Sequence, residues 1–214
     1  QVVLYSTDFG NTVGFFPTGW ASSNTINGFE SVVTSPSTGY SGASGSINAR
    51  FQNTGIAGAN HTLTFDNALS TIGYTDIRVI WGVRTTGTFI QNVTLEWSSD
   101  GINWTPCPFS QTPSGTDWTL VNGGIPIQLP AGAENVSNLR LRWSIIVNNT
   151  GNYQIDDLVI DGLLVSGGSS SSDYFRSRQS GNWNASASWE SSADNMNWIQ
   201  ATLIPTATAQ TIVV

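Results

Sequence analysis

One imidazole, one thiol, no lysine and fourteen carboxylates set the chemical repertoire of this 214-residue chain. His61 stands in Asn60-His61-Thr62-Leu63, and the sequence holds neither a Gly-x-Ser-x-Gly elbow nor a catalytic-cysteine setting. Acyl transfer by a Ser-His or Cys-His pair is therefore unsupported. Cys107, between Pro106 and Pro108, has no second cysteine to pair with and reads as an inert thiol. Zinc needs several His or Cys ligands. Gly42-Ala43-Ser44-Gly45 lacks the lysine and helix of a phosphate loop. Glycoside hydrolysis needs two opposed carboxyl groups, and no spacing here identifies such a pair.

Glu96 is the one acid placed mid-strand on a polar face, alternating with Asn92 and Thr94. Arg78, Arg84, Arg140 and Arg142 hold comparable positions on other strands. Cross-strand ion pairs on a solvated sheet face are the expected reading. The sharper alternative is that this polar face is one concave ligand surface carrying Arg78, Arg84 and Glu96, with Arg and Asn for sugar hydroxyls or carboxylates; acidic polysaccharides would suit the arginines, although the net charge of −7 opposes them. Aromatic rings offer a second route, because an indole or phenol presents an apolar plane to the C–H face of a sugar. Trp20, Tyr40, Trp104 and Trp118, with Phe15 and Phe16, fall in loop-like contexts and are the ligand candidates. About half of them are expected to pack under loops, since Trp is highly buried on average.

The elements that must position these residues are strands. Ile77, Val79, Trp81 and Val83 alternate with polar residues, as do Val93, Leu95 and Trp97, and Leu139, Leu141, Trp143 and Ile145. Successive strand residues face opposite ways, so each set lies on one face, and the three tryptophans are assigned to the core. Shorter segments at Val2–Tyr5, Phe29–Val33, Ala49–Gln52, Thr62–Phe65, Trp118–Val121 and Tyr153–Ile160 complete an all-β set. Asp100-Gly101 is expected to close a tight hairpin between Leu95–Ser99 and Ile102–Trp104. Its plan of acid, serine, Asp and Asn-Trp recurs at Glu190–Trp198. A jelly-roll sandwich is assigned to residues 1–165, a flexible Gly/Ser linker to 166–173, and the Trp-rich start of a second, truncated β module to 174–214.

Only 10% of residues are charged and the net charge is −7. That balance disfavours nucleic acid, whose phosphates need a basic stripe. No apolar run reaches the ~20 residues of a membrane-spanning helix.

Thr7-Asp8-Phe9-Gly10, Pro17-Thr18-Gly19-Trp20, Ser41-Gly42-Ala43-Ser44-Gly45, Ser98-Ser99-Asp100-Gly101-Ile102-Asn103-Trp104 and Tyr153-Gln154-Ile155-Asp156-Asp157-Leu158 occur in that order. Together they resemble the jelly-roll modules of secreted and cell-surface Bacteroidetes proteins, which look like MAM and galactose-binding-like sandwiches. The resemblance implies a secreted or cell-surface setting, further domains in the same parent chain, and first and last strands side by side. It also implies a structural Ca²⁺ held by acids from those strands. Asp8, Asp156 and Asp157 are the candidates, with Glu30 an outlying one. Independently, carboxylates brought together repel unless a cation, a proton or backbone donors compensate; the alternative is that Asp156 and Asp157 cap a turn or pair with Arg at the sheet surface. Asp157 is expected to share a face with Ile155 and Val159. Many of the similar modules carry Asp-Phe-Glu near the first strand, whereas here Gly10 follows Asp8-Phe9, so one carboxylate of that pattern is missing.

The function this supports is a non-catalytic binding or adhesion module for a polysaccharide or cell-surface glycan. The alternatives are a purely structural spacer, or a non-catalytic part of a polysaccharide-degrading enzyme.

Overall fold

Alternating apolar residues bury only if two sheets close over them, and the chain folds accordingly. The computed structural model describes residues 1–10, 18–23, 30–32, 36–45, 47–53, 55–86, 89–111, 115–164, 168–196 and 198–214, with backbone alone at 30–32, 51 and 52. Phe15 and Phe16 lie outside the described residues. Two units form, Gln1–Leu163 and Leu164–Val214.

Among the described residues, twelve strands build the first unit: β1 (Val2–Thr7), β2 (Trp20–Ser22), β3 (Glu30–Val32), β4 (Asn48–Gln52), β5 (Asn60–Leu69), β6 (Tyr74–Thr86), β7 (Val93–Ser98), β8 (Thr105–Gln111), β9 (Thr119–Leu120), β10 (Ile127–Gln128), β11 (Leu139–Ile146) and β12 (Asn152–Leu164). One sheet runs β10-β6-β12-β4-β3, with β1 beside β12 and β9 beside β6; the other runs β2-β5-β11-β7-β8. The architecture is an all-β sandwich of two antiparallel sheets. First and last strands pair from Val2 with Gly162 to Thr7 with Leu158.

Between the sheets lie Ile77, Val79, Trp81, Tyr153 and Ile155 from one side and Leu63, Phe65, Leu95, Leu141 and Trp143 from the other. Trp81 packs edge-on against Trp143 and Phe109, each at 5.4 Å between centroids. Its indole N–H donates to the buried Tyr153 hydroxyl at 2.9 Å. Cys107 faces this core from β8, and burial pushes its thiol up to about 12. His61 is buried on β5.

Trp20, expected in a loop, sits on β2 and belongs to the core. It stacks on Trp143 at 5.6 Å and donates its indole N–H to Tyr5 at 3.2 Å. The Asp100 turn is wider than a two-residue hairpin, since the returning strand begins at Thr105. The Asp100 carboxylate organises it, accepting from Ser98 Oγ, from the amides of Ile102 and Asn103, and from Asn103 Nδ2. Those donors, Asn103 foremost, hold the Asp100 carboxyl well below the usual range.

The second unit is a four-stranded sheet, β15-β14-β13-β16, of β13 (Tyr174–Ser177), β14 (Trp189–Ser192), β15 (Ile199–Gln200) and β16 (Thr211–Val213). The β13–β16 pair is parallel. Phe175, Trp189 and Ala201 form its small core. Residues 168–173, expected as a free linker, are tied into this unit. Ser169 Oγ accepts the Thr202 amide at 2.8 Å and the Ser191 hydroxyl at 2.8 Å, and Asp173 Oδ2 accepts the Ser170 amide at 2.7 Å. Ser169 and Asp173 are buried as a result. Serine is poor core material but a competent hydrogen-bond partner, and composition alone does not distinguish the two roles.

Candidate functional site

Strand β12 changes partner halfway. Asn152–Ile155 pair with β4, and from Leu158 onward the neighbour is β1. Asp156 and Asp157 occupy the changeover. Asp157 adopts a left-handed backbone, φ 49°, and such an irregularity inserts one residue into the alternation. Tyr153 and Ile155 face the core before it, and Leu158 and Ile160 after it. Asp157 thus leaves the core face it was expected to share, and Val159 turns outward.

The released carboxylate anchors the loop of residues 36–45. It accepts the Tyr40 hydroxyl at 2.5 Å, the Ser37 hydroxyl at 3.1 Å and the Ser44 amide at 3.1 Å. Ser37 Oγ in turn accepts the Gly45 amide at 3.1 Å, closing the loop on itself. Tyr40 lies over Gly82 of β6, where a Cβ would stand 2.0 Å from the phenolic oxygen. Burial, then the Asp157 hydrogen bond, lift the Tyr40 hydroxyl far above its usual range, so it stays a donor at any working pH.

Beside Tyr40 on the outer face of the β6–β12 sheet is a hollow of about 440 Å³. Ile80 and Val159 line it from adjacent strands, with Leu120 and the Tyr40 ring; Asp8 and Asp157 add carboxylates. A second hollow, about 620 Å³, is lined by Thr38 and Gly39 of the same loop with Arg84, Asp117 and Trp118.

Asp156 is fully buried. Its Oδ1 accepts the Asp157 amide at 2.9 Å, while Oδ2 has no hydrogen-bond partner among the described residues. Burial lifts its carboxyl from 3.8 to about 7; the charges of Asp157 and Asp8 act the same way, against the nearby Ser37 hydroxyl and the Asp157 amide. The folded chain therefore binds more protons at Asp156 than the unfolded chain between about pH 4 and pH 7. Stability should fall as pH rises through that window and level off above it. Urea unfolding from pH 4 to 8 should show the fall in the wild type and lose it in Asp156→Asn. An unchanged slope in the variant would contradict the assignment.

The acids expected to hold Ca²⁺ meet a different geometry. Among the described residues, no group of three or more His, Cys, Asp or Glu side chains is arranged to hold a metal ion. Asp157 is offset by hydroxyl and amide donors instead, and the side chain of Glu30 lies outside the described residues.

The remaining candidates scatter. Arg78 makes a two-pronged ion pair with Asp161, 3.0 Å at each contact. Arg84 donates to the Thr116 carbonyl and to Gln154. Glu96 accepts Arg142 Nε at 2.8 Å on the other sheet. The single concave surface joining Arg78, Arg84 and Glu96 is thus not formed, because β6 and β7 belong to opposite sheets; the ion-pair reading holds for Arg78 and Glu96. Trp118 is buried and Trp20 is core, whereas Tyr40 and Trp104 keep partial exposure. Sequence reasoning missed Ser37, Ile80, Gly82 and Leu120. In that loop Tyr40 had been named as a ligand candidate and Ser41–Gly45 as a motif, with nothing linking either to Asp157.

No model of a protein family matches the chain, and no curated protein does. Solved structures share its fold. The CBM22-1 xylan-binding domain of Paenibacillus barcinonensis Xyn10C superimposes at TM-score 0.51 with 14% identity, covering 75% of this chain and 94% of that one. The CBM22-1-GH10 modules of Clostridium thermocellum xylanase 10B, complexed with xylohexaose, give 0.52 and 14%, covering 82% and 32%. The K3 cleaved adhesin domain of Lys-gingipain from Porphyromonas gingivalis gives 0.49 and 14%, covering 74% and 99%. At this identity the likeness of the first two establishes the β-sandwich fold.

Proposed function

We propose that the first unit is a non-catalytic carbohydrate-binding module of a secreted or cell-surface protein, and that the hollow beside Tyr40 receives a sugar unit of a neutral polysaccharide. One observation carries this reading: a sugar-sized hollow combines a braced phenol ring, an apolar lining of Ile80, Leu120 and Val159, and the carboxylates of Asp8 and Asp157. A pyranose offers the complementary surface, C–H groups on its face and hydroxyl donors at its edge. The xylan-binding domain of like fold is in keeping with it. Burial of Trp20 and Trp118 favours the structural-spacer alternative, but the surface placement of Tyr40 and Trp104 leaves the binding reading ahead.

The test is depletion of the purified chain by insoluble xylan, β-1,4-galactan, mixed-linkage β-glucan and cellulose. At least one should retain the chain, equally with Ca²⁺ and with chelator because Asp157 is already satisfied by donors. Failure of all four to retain it would overturn the proposal.

A further inference from the structure

The two units share a device that the hollow does not use. Counted from Glu96 and from Glu190, a serine (Ser98, Ser192), an aspartate (Asp100, Asp194) and a tryptophan (Trp104, Trp198) recur at the same spacing. The structure repeats what the spacing suggests. In each copy the serine hydroxyl donates to the aspartate at 2.9 Å, and the aspartate accepts an amide two residues on at 2.8 Å. The next position is left-handed in both, at Gly101 (φ 74°) and Asn195 (φ 58°). Opposite each glutamate, in register, stands an arginine: Arg142 faces Glu96 and Arg176 faces Glu190. The pairs close at 2.8 and 2.7 Å. Each guanidinium then lies over its own tryptophan, 4.2 Å from the ring centroid in both cases.

Bracing a turn needs only the aspartate and the glycine or asparagine. It does not need a large apolar side chain at the tip, yet both copies have one, Ile102 at 81% and Met196 at 77% exposure. Both tryptophans are themselves partly exposed. Glutamate cancels the charge of the arginine beside each ring. Fixing an aromatic ring before contact lowers the entropy lost on binding.

We propose that the two hairpin tips are matching contact platforms, one on each unit, for a neutral polysaccharide chain. This rests on the carbohydrate reading above and adds contacts outside the hollow. The Glu–Arg pair stiffens the ring, and the ring with the neighbouring Ile102 or Met196 takes the C–H faces of sugar units.

Affinity gel electrophoresis with soluble xylan, β-1,4-galactan and mixed-linkage β-glucan tests this. Trp104→Ala and Trp198→Ala should each weaken polymer binding about tenfold, the loss of one aromatic contact. Ile102→Ser with Met196→Ser, at exposed positions where folding is indifferent, should weaken binding severalfold with an unchanged melting temperature. Wild-type binding that none of these variants alters would overturn the platforms and leave the hollow standing. Binding lost only in step with melting temperature, with the Ile102/Met196 variant unaffected, would make the device a hairpin brace and overturn the proposal. A wild type that binds none of the polymers would overturn both readings.

Discussion

Trp81→Ala should cost the first unit most of its stability. The side chain is fully buried between the sheets, in edge contact with Trp143 and Phe109. Truncating a core aromatic costs about 3–5 kcal/mol. The Tyr153 hydroxyl, itself fully buried, would also lose its indole donor, which adds about 1–3 kcal/mol for an unsatisfied group. The sum approaches the ~5–15 kcal/mol that holds a typical domain folded. In equilibrium urea unfolding the variant should lose at least about 4 kcal/mol. Trp81→Phe, which keeps a ring and loses the N–H, should fall between. A loss under about 1 kcal/mol in Trp81→Ala, well below the usual range for a core aromatic, would mean that this indole does not hold the sheets together.

Gly82→Ala should weaken glycan binding roughly thirtyfold or more while leaving the sandwich folded. Position 82 points outward from β6, and an added methyl would stand 2.0 Å from the Tyr40 oxygen and 2.5 Å from its Cζ. The strand tolerates alanine, but the phenol does not tolerate the methyl and must swing away. It then loses its hydrogen bond to Asp157, about 1.5–3 kcal/mol for a bond to a charged group, offset in part by water. The hollow loses its aromatic wall, a change worth about 2 kcal/mol or more when the ring is a central contact, or roughly thirtyfold in Kd. Unfolding should remain cooperative with a modest drop in midpoint. Gly82 therefore separates site from fold better than the acids do, since each acid also holds the backbone.

What the residues disclose in advance follows from the range of the forces involved. Alternation located β6, β7 and β11 and placed Trp81 and Trp143 in the core, because a strand's period is written in its own residues. It passed over β2, where three residues after the Thr18-Gly19 turn are too few to show a period. At β8 the returning strand was expected at Ile102–Trp104, whereas it runs from Thr105 to Gln111. β8 lies at the edge of its sheet and both of its prolines are exposed; within sheets proline is largely confined to edge strands. At β12 the alternation misled, since one left-handed residue at Asp157 moved Val159 to the outer face.

The candidate site was legible in its acids and in Tyr40, but not in its assembly. Asp157 binds Ser37, Tyr40 and Ser44 across more than a hundred residues of sequence, and no local pattern encodes such a contact. Repulsion among neighbouring carboxylates was foreseeable, whereas its relief by hydroxyl and amide donors depends on where the loop lands. The Glu–Arg–Trp device shows the reverse case. Its hairpin half was visible as a repeated pattern, and only the in-register arginines turned it into a three-residue stack.

The most direct measurement of the central claim is paired depletion of wild type and Gly82→Ala by the four insoluble polysaccharides, with melting temperatures recorded on the same samples. At least one polysaccharide should remove the wild type from solution and leave the folded variant behind. Equal depletion of the two proteins would contradict a sugar site beside Tyr40.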